Sequence, residues 1–585
     1  MMSSTGSFPQ RLPKRCMGSL LLSLEGETEK RRRGSGYFSC IMREYGKKRP
    51  QSHHNQAERR RRMDNRILRL GKNQTFLLLV TCIAVLVLLN VGIPTSEAQK
   101  RGGKLVYAVG TDPYSPAPFV YGGLAGFAVN GAMYNSLLRI NTEGKLVPEL
   151  AERYDIVDNT TYTFTLRKGV VFHDGDTLDA DDVVFSLNFY MDKKSGATRG
   201  GILRDMLASV EKVDDLTVRL KLKAPNAAVL QILALRDIPI ISKEWVEAGH
   251  DYRKEYNGTG PFKMVNAVRG EHYQLVRNER YWKKGLPYLD ALEFRVIHDP
   301  FTRADSVRAG DVDIIDFLPW QEGEAFDQDP RLKTIRSWII FNAIVLNPKR
   351  KPFTDVRVRQ ALAYAIDRET TNQIGHGGMG LPITGGLLQK GSQWHCPENE
   401  GTYTYQPDKA RRLLAEAGYP QGVSFDLVLA NFAPYLEPWA VVSENLKGVG
   451  FQVNVISTDT GGMAELRVNG DYTALWTGTL LIYDDPNALA TFYESSGAFY
   501  GRAHDFKDPE LDELFARGRR TTDFQERHKI YCELERKALE KAYWVFLTWR
   551  PNMFGLRADV KGFTKIPGMV SFLTPTTLEQ TWLDR

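Results

Sequence analysis

Cysteine is scarce in this sequence: five in 585 residues, at positions 16, 40, 82, 396 and 532. With no CxxC pair, a disulfide-stapled mini-domain and a Cys-rich zinc framework are both excluded. His395-Cys396 is one adjacent pair without a second pair at ligand spacing, so no metal site is expected. HExxH, the P-loop and the nucleophile elbow are also missing, which removes the short motifs of metalloproteases, nucleotide-binding proteins and α/β-hydrolases. Gly375-His376-Gly377-Gly378-Met379-Gly380 matches GxGxxG in form only. Pro382 stands where a helix should begin and no clear strand leads in, so a mobile glycine-rich loop is expected and no cofactor. The acidic groups around His173–Asp176 and Asp179–Asp182 lack EF-hand spacing and read as a turn followed by a helix cap.

An excess of one charge is likewise absent from the body of the chain. The formal net charge is +7, but residues 1–98 hold 18 Lys/Arg against 7 Asp/Glu, leaving 59 against 63 beyond them. Basicity therefore belongs to the N-terminal stretch, and no nucleic-acid partner is expected. No long run of apolar residues reaches the ~20 that a spanning helix uses. Phe76–Leu89 is an apolar run of 14, preceded by Arg66, Arg69 and Lys72 and followed by Ser96-Glu97-Ala98. Positive flank, apolar core and small-residue site together predict a secretory signal peptide over 63–98, cleaved near Ala98, and a periplasmic protein. An uncleaved membrane anchor is the alternative. Residues 1–62 are polar, Arg-rich and aperiodic, and read as a disordered tail or as an extension ahead of a start at Met63.

What is present beyond residue 98 is an interleaving of strand and helix signals, which predicts a mixed α/β protein. Tyr162, Phe164 and Leu166 alternate with polar residues, as do Leu216, Val218, Leu220 and Leu222, and then Leu292, Phe294 and Val296. Val358, Ala361, Leu362, Ala365 and Ile366 make a helical stripe. Asp179 and Asp182 have capping-box spacing, and Asp408 is placed to open a helix that Gly418 and Pro420 stop. Cys396 and Cys532 leave two readings open, a disulfide or two buried thiols. Spacing alone cannot show proximity, so separate thiols are the default expectation.

Several segments together resemble the extracellular solute-binding protein family that serves peptide and nickel ABC importers. They are Leu146–Glu152, the long stretch Thr161–Leu187, Gly258–Phe262, Asn278–Trp282, Ala309–Asp313, Asp355–Ala361 and Lys409–Pro420. The resemblance implies a two-lobe, hinged periplasmic binding protein-like α/β fold. Lobe I would span 104–340 with an extra subdomain at 134–256, lobe II 341–547, and the chain would return to lobe I over 548–585. It also implies a monomer that captures a peptide-like or other small solute and hands it to permease and ATPase subunits at the inner membrane, with no chemistry performed. A secreted hydrolase acting on peptides or oligosaccharides is the alternative.

Two stretches are the candidate ligand site. Asp112, Tyr114 and Ser115 follow the opening strand, where open α/β sheets bind ligands. Trp476, Thr477, Gly478 and Thr479, continuing to Tyr483 and Asp484, resemble the family segment in which a tryptophan walls the cavity. Dipeptide-binding members carry an aspartate after that glycine to pair with the peptide's ammonium group. This sequence has Thr479 there, and a neutral hydroxyl cannot make that charge-assisted pair. The expected ligand is therefore something other than a simple dipeptide, unless Asp484 compensates.

Overall fold

Alternation decides the strands. In the computed structural model, Thr161–Leu166 and Thr217–Leu222 bury every second side chain, and Ala291–Val296 forms a third of the expected strands. The structure describes residues 99–585 except 114, 121–122, 498–500, 502–504 and 567–576. The predicted leader and tail, and Tyr114, lie outside the described residues.

The expected helix cap is present. Asp179 accepts from the amides of Asp181 and Asp182, and Asp182 accepts in return from the amide of Asp179, opening the helix Ala180–Met191. The stripe from Val358 to Ile366 is fully buried, four of its positions on or capping the helix Val356–Tyr364. The next helix differs by one residue from expectation: it starts at Pro407, with Gln406 at the cap and Asp408 inside the first turn. Proline at the first position already fixes the helical φ, so no capping side chain is needed.

A sheet of eleven strands runs through the molecule. Its order is Phe451–Thr458, Val423–Ala430, Ala474–Leu480, Leu332–Leu346, Trp544–Arg557, Ile314–Ile315, Lys104–Val109, Ala291–Val296, His272–Arg277 and Phe262–Val268. The short strand Leu381–Pro382 pairs off this path with Trp544–Arg557. A separate four-stranded antiparallel sheet carries Ala151–Ile156, Thr161–Leu166, Thr217–Leu222 and Leu207–Asp214, with the helix Ala180–Met191 packed on it. The segment His173–Asp176 is the turn expected, closed by a bridge between Val171 and Thr177 and by Gly175 at φ +120°.

Two long strands cross the middle of the large sheet. Leu332–Leu346 and Trp544–Arg557 pair antiparallel, and the register breaks twice, between Ser337 and Ile340 and between Asn342 and Ala343. At the first break three steps along one strand face two along the other (Ser337 opposite Asn552, Ile340 opposite Arg550), the signature of an inserted residue. The expected lobe limits at 340/341 and 547/548 fall inside these strands.

Cys396 and Cys532 are bonded, with their Cα atoms 5.5 Å apart, which corrects the expectation of separate thiols. The helix Phe524–Lys541 brings Cys532 under the loop at 396–399, where Asn399 Nδ2 donates to the Cys532 carbonyl at 3.1 Å and to Glu535 at 2.9 Å.

The C-terminal segment is tied down by Glu579. Its buried carboxylate accepts from Arg139 at 2.7 Å, Tyr281 at 2.6 Å and Lys283 at 2.9 Å. Burial alone would raise its pKa, but the charges of Lys283 and Arg139 outweigh that and hold it at about 2, against 4.5 ordinarily. A depressed folded-state pKa means the unfolded chain takes up the proton first. The stabilisation is present above pH ~4.5 and is lost as pH falls toward 2, a total of about 3 kcal/mol. Glu579→Gln should flatten this acid limb in urea unfolding measured from pH 5 to pH 2; an unchanged limb would show that other carboxylates carry it.

Candidate functional site

Three strands of one half of the sheet run parallel: two end level at Thr458 and Ala430, and the third continues past them to Leu480. Loops beyond such ends are where open α/β sheets take ligands. The helix Ala433–Val449 starts immediately after one of them. Its cap residue is Phe432, with no side-chain cap and no acid in the first turn. Phe432 is an exposed aromatic, stacked edge-on with Tyr435 at 5.1 Å.

This helix start meets the crossing strands. The Tyr435 hydroxyl accepts from the amide of Gly478 at 3.0 Å. A Cβ on residue 478 would lie 2.8 Å from that hydroxyl and 2.9 Å from the ring, so glycine is required for the approach. Asn342 Nδ2 donates to the Pro434 carbonyl at 3.4 Å. The Arg550 guanidinium lies over the Phe432 ring at 5.8 Å.

Thr548, Arg550 and Asn552 occupy alternate positions of one crossing strand and so share a face. His376 Nε2 contacts Thr548 Oγ1 at 3.0 Å. Burial, then the Arg550 charge, push the His376 pKa down to about 4, so the imidazole is neutral at pH 7. Burial also lowers the pKa of Arg550, against a small opposing influence of Tyr435. Among the described residues, Ser337 Oγ, Asn342 Oδ1, Arg550 Nη1 and Asn552 Oδ1 are buried polar atoms without a hydrogen-bond partner. All four lie on the crossing strands. Buried polar groups are ordinarily paired, so a group of unpaired ones at one place points to a function there.

The glycine-rich segment closes the same region. Gly375 abuts Pro438, where a Cβ would lie 2.8 Å from the ring, and Gly377 abuts Trp320, at 2.5 Å. Trp338, at the register break, donates through Nε1 to the Met379 carbonyl at 2.7 Å. Close packing is therefore the role the structure shows for these glycines, in place of the mobile loop expected. From the other half of the sheet, Trp320 Nε1 and Gln321 Nε2 donate to Glu437 at 3.1 and 3.3 Å.

The sequence candidates divide. Gly478 joins the group just described. Trp476 is fully buried, edge-on to Trp439 at 6.0 Å. Thr477 is buried and accepts from Arg467 at 3.1 Å, while Thr479 lies opposite Phe341, on the far face from Gly478 by alternation. The Tyr483 hydroxyl accepts from Asn487 at 2.8 Å. Asp484 is half-buried, and burial and then the neighbouring Asp485 charge raise its pKa. Asp485 is the aspartate of a buried pair with Arg527, two bonds of 2.7 Å. Asp112 is committed to the turn at 269–273, accepting from Arg269, from the amide of Gly270 and from the Tyr273 hydroxyl at 2.7–3.1 Å. Ser115 accepts from the amide of Ala117 at 3.2 Å. Sequence reasoning missed Arg550, Phe432, Tyr435, Asn342 and His376. The one available signal was Arg550 itself, the single charged residue in the stretch Trp544–Phe554.

A model of the bacterial extracellular solute-binding proteins, family 5 (middle region), matches residues 145–501. The chain belongs to this family. The glutathione-binding protein GsiB of Pectobacterium atrosepticum is 29% identical over 484 residues, covering 79% of this chain and 91% of that one. The heme-binding protein A of Haemophilus influenzae is 29% identical over 507 residues, covering 81% and 92%. The solved structure of AgaA from A. tumefaciens R10 in complex with agropinic acid superposes with a TM-score of 0.77 at 30% identity, covering 83% of this chain and 99% of that one. Family 5 and these neighbours are substrate-binding proteins of ABC importers, and they lend no support to the hydrolase alternative. The two-lobe α/β fold expected from sequence is the fold of these neighbours. Among the described residues no helix is long and apolar enough to cross a membrane.

Proposed function

We propose that this family 5 protein is exported through the 63–98 leader and captures a small solute at the crossing strands for delivery to a permease and its ATPase. The observation that carries this reading is the set of unpaired buried polar atoms at Ser337, Asn342, Arg550 and Asn552, beside the break in strand pairing. A bulge weakens the ladder locally and lets two halves of a sheet rotate. A solute that touches both halves then shifts the population toward the form that encloses it, by its differential affinity for the two.

On this reading 104–340, with its subdomain at 134–256, and 548–585 form one lobe, 341–547 the other, and the protein works as a monomer. Gly478 lies at the strand end on the solute side, and Thr479 follows it on the opposite face. The ligands named for the relatives are glutathione, heme and agropinic acid. They differ widely in size and shape and have carboxylate groups in common. Identification of whatever co-purifies by mass spectrometry, followed by a thermal-shift screen of peptides, opines, sugar acids and metal chelates, tests the reading. A true ligand at a hundred times its Kd should stabilise the protein by about 2.7 kcal/mol. If nothing in the screen raises the melting temperature, solute capture is refuted.

A further inference from the structure

We propose that Arg550 is the anchor for a carboxylate of the solute, and that the solute needs no free ammonium group. The inference rests on the solute-capture reading and names the ligand class for that site.

Arg550 is a cation on the crossing strand that has no acid within ion-pair distance among the described residues. Glu437, the acid on the neighbouring helix start, already accepts from Trp320 and Gln321. The Phe432 ring at 5.8 Å gives only a cation–π contact, which returns far less than the loss of hydration that burying the charge entails. Nη1 has neither solvent access nor a protein acceptor. An anion supplied from outside would satisfy it, and guanidinium and carboxylate are matched in geometry.

The neighbours favour the same sign. The helix Ala433–Val449 presents its positive end, without a capping side chain or first-turn acid, at Phe432. Tyr435 accepts from Gly478, which leaves its own hydroxyl hydrogen to donate. His376 is neutral and adds no competing charge. Position 479 holds a threonine, and among the described residues the strand partners of Gly478 and Thr479 are Asn342 and Phe341, neither of which is an acid that could receive an ammonium group.

Matched probes separate the possibilities: N-acetylglutamate and its diamide, gluconate and gluconamide, trialanine and its C-terminal amide, each added to the full chain by calorimetry. At least one acid should bind while its amide does not, and trialanine should gain nothing over its N-acetyl form. Arg550→Met should weaken the binding acid at least a hundredfold, and Arg550→Lys should retain part of it. The unliganded Arg550→Met protein should melt no lower than the parent, because a half-buried cation without an acid partner among the described residues has been removed. That measurement needs no ligand. If amide and acid bind alike, or if Arg550→Met binds within threefold of the parent, the anchor is refuted while solute capture stands. A lower melting point for unliganded Arg550→Met would show an internal partner and refute the anchor too. If neither these probes nor the wider screen bind the parent, capture and anchor fall together.

Discussion

Breaking the Cys396–Cys532 bond should lower the free energy of unfolding by up to about 5 kcal/mol, the loop-closure entropy expected for so long a loop. The bond spans 136 positions of sequence. Without it the unfolded chain gains all the conformations in which residues 396 and 532 are apart. The folded state gains little, because Asn399 still ties the loop to the helix through the Cys532 carbonyl and Glu535. Urea unfolding with and without a reductant should show the midpoint falling, and a Cys396→Ala/Cys532→Ala variant should have the lower midpoint and ignore the reductant. Equal midpoints would mean the bond adds nothing to stability.

Asp485→Ala should cost about 3–5 kcal/mol, the usual penalty for leaving one half of a buried pair. Arg527 and Asp485 are both nearly inaccessible and share two bonds of 2.7 Å. Arg527 also donates to the Gly518 carbonyl at 2.8 Å and lies against the rings of Trp394 and Tyr531 at 5.0 and 5.1 Å. Removal of the carboxylate strands a guanidinium that these groups hold in place. Adding Arg527→Met to Asp485→Ala should recover most of the loss, since the buried charge is then gone and the methylene packing is kept. A double variant as unstable as the single one would place the energy in packing, not in charge. Asp485→Ala also tests the neighbouring Asp484, whose pKa should fall once the adjacent charge is removed.

Legibility in the sequence followed the range of the interaction. Alternation at Tyr162–Leu166, the cap at Asp179 and the stripe from Val358 to Ile366 are local patterns, and each appears in the structure at those positions. Of the segment from Trp476 to Asp484, only Gly478 packs against Tyr435 at the helix start. Asp112 was not readable as a structural residue. Its partners are more than 150 residues away, at 269–273, and nothing local announces them. The same holds for Cys396, whose partner sits on a helix far along the chain. Arg550 and Phe432 come together only because a strand and a helix start are neighbours in space. The site is assembled from residues whose separate surroundings look ordinary.

The strand Trp544–Arg557 sits between Leu332–Leu346 and Ile314–Ile315 in the sheet order, yet it is among the last elements in the chain. Until it is available, the two halves of the eleven-stranded sheet share no backbone ladder. Completion of the sheet must therefore wait for nearly the entire polypeptide, since long-range pairing cannot precede the arrival of its partner. A chain cut short before residue 544 would leave two unpaired strand edges open to other molecules. The strand that closes the middle of the sheet is thus also the last of its eleven strands to be made, so the pairing that joins the two halves is among the last the chain can form.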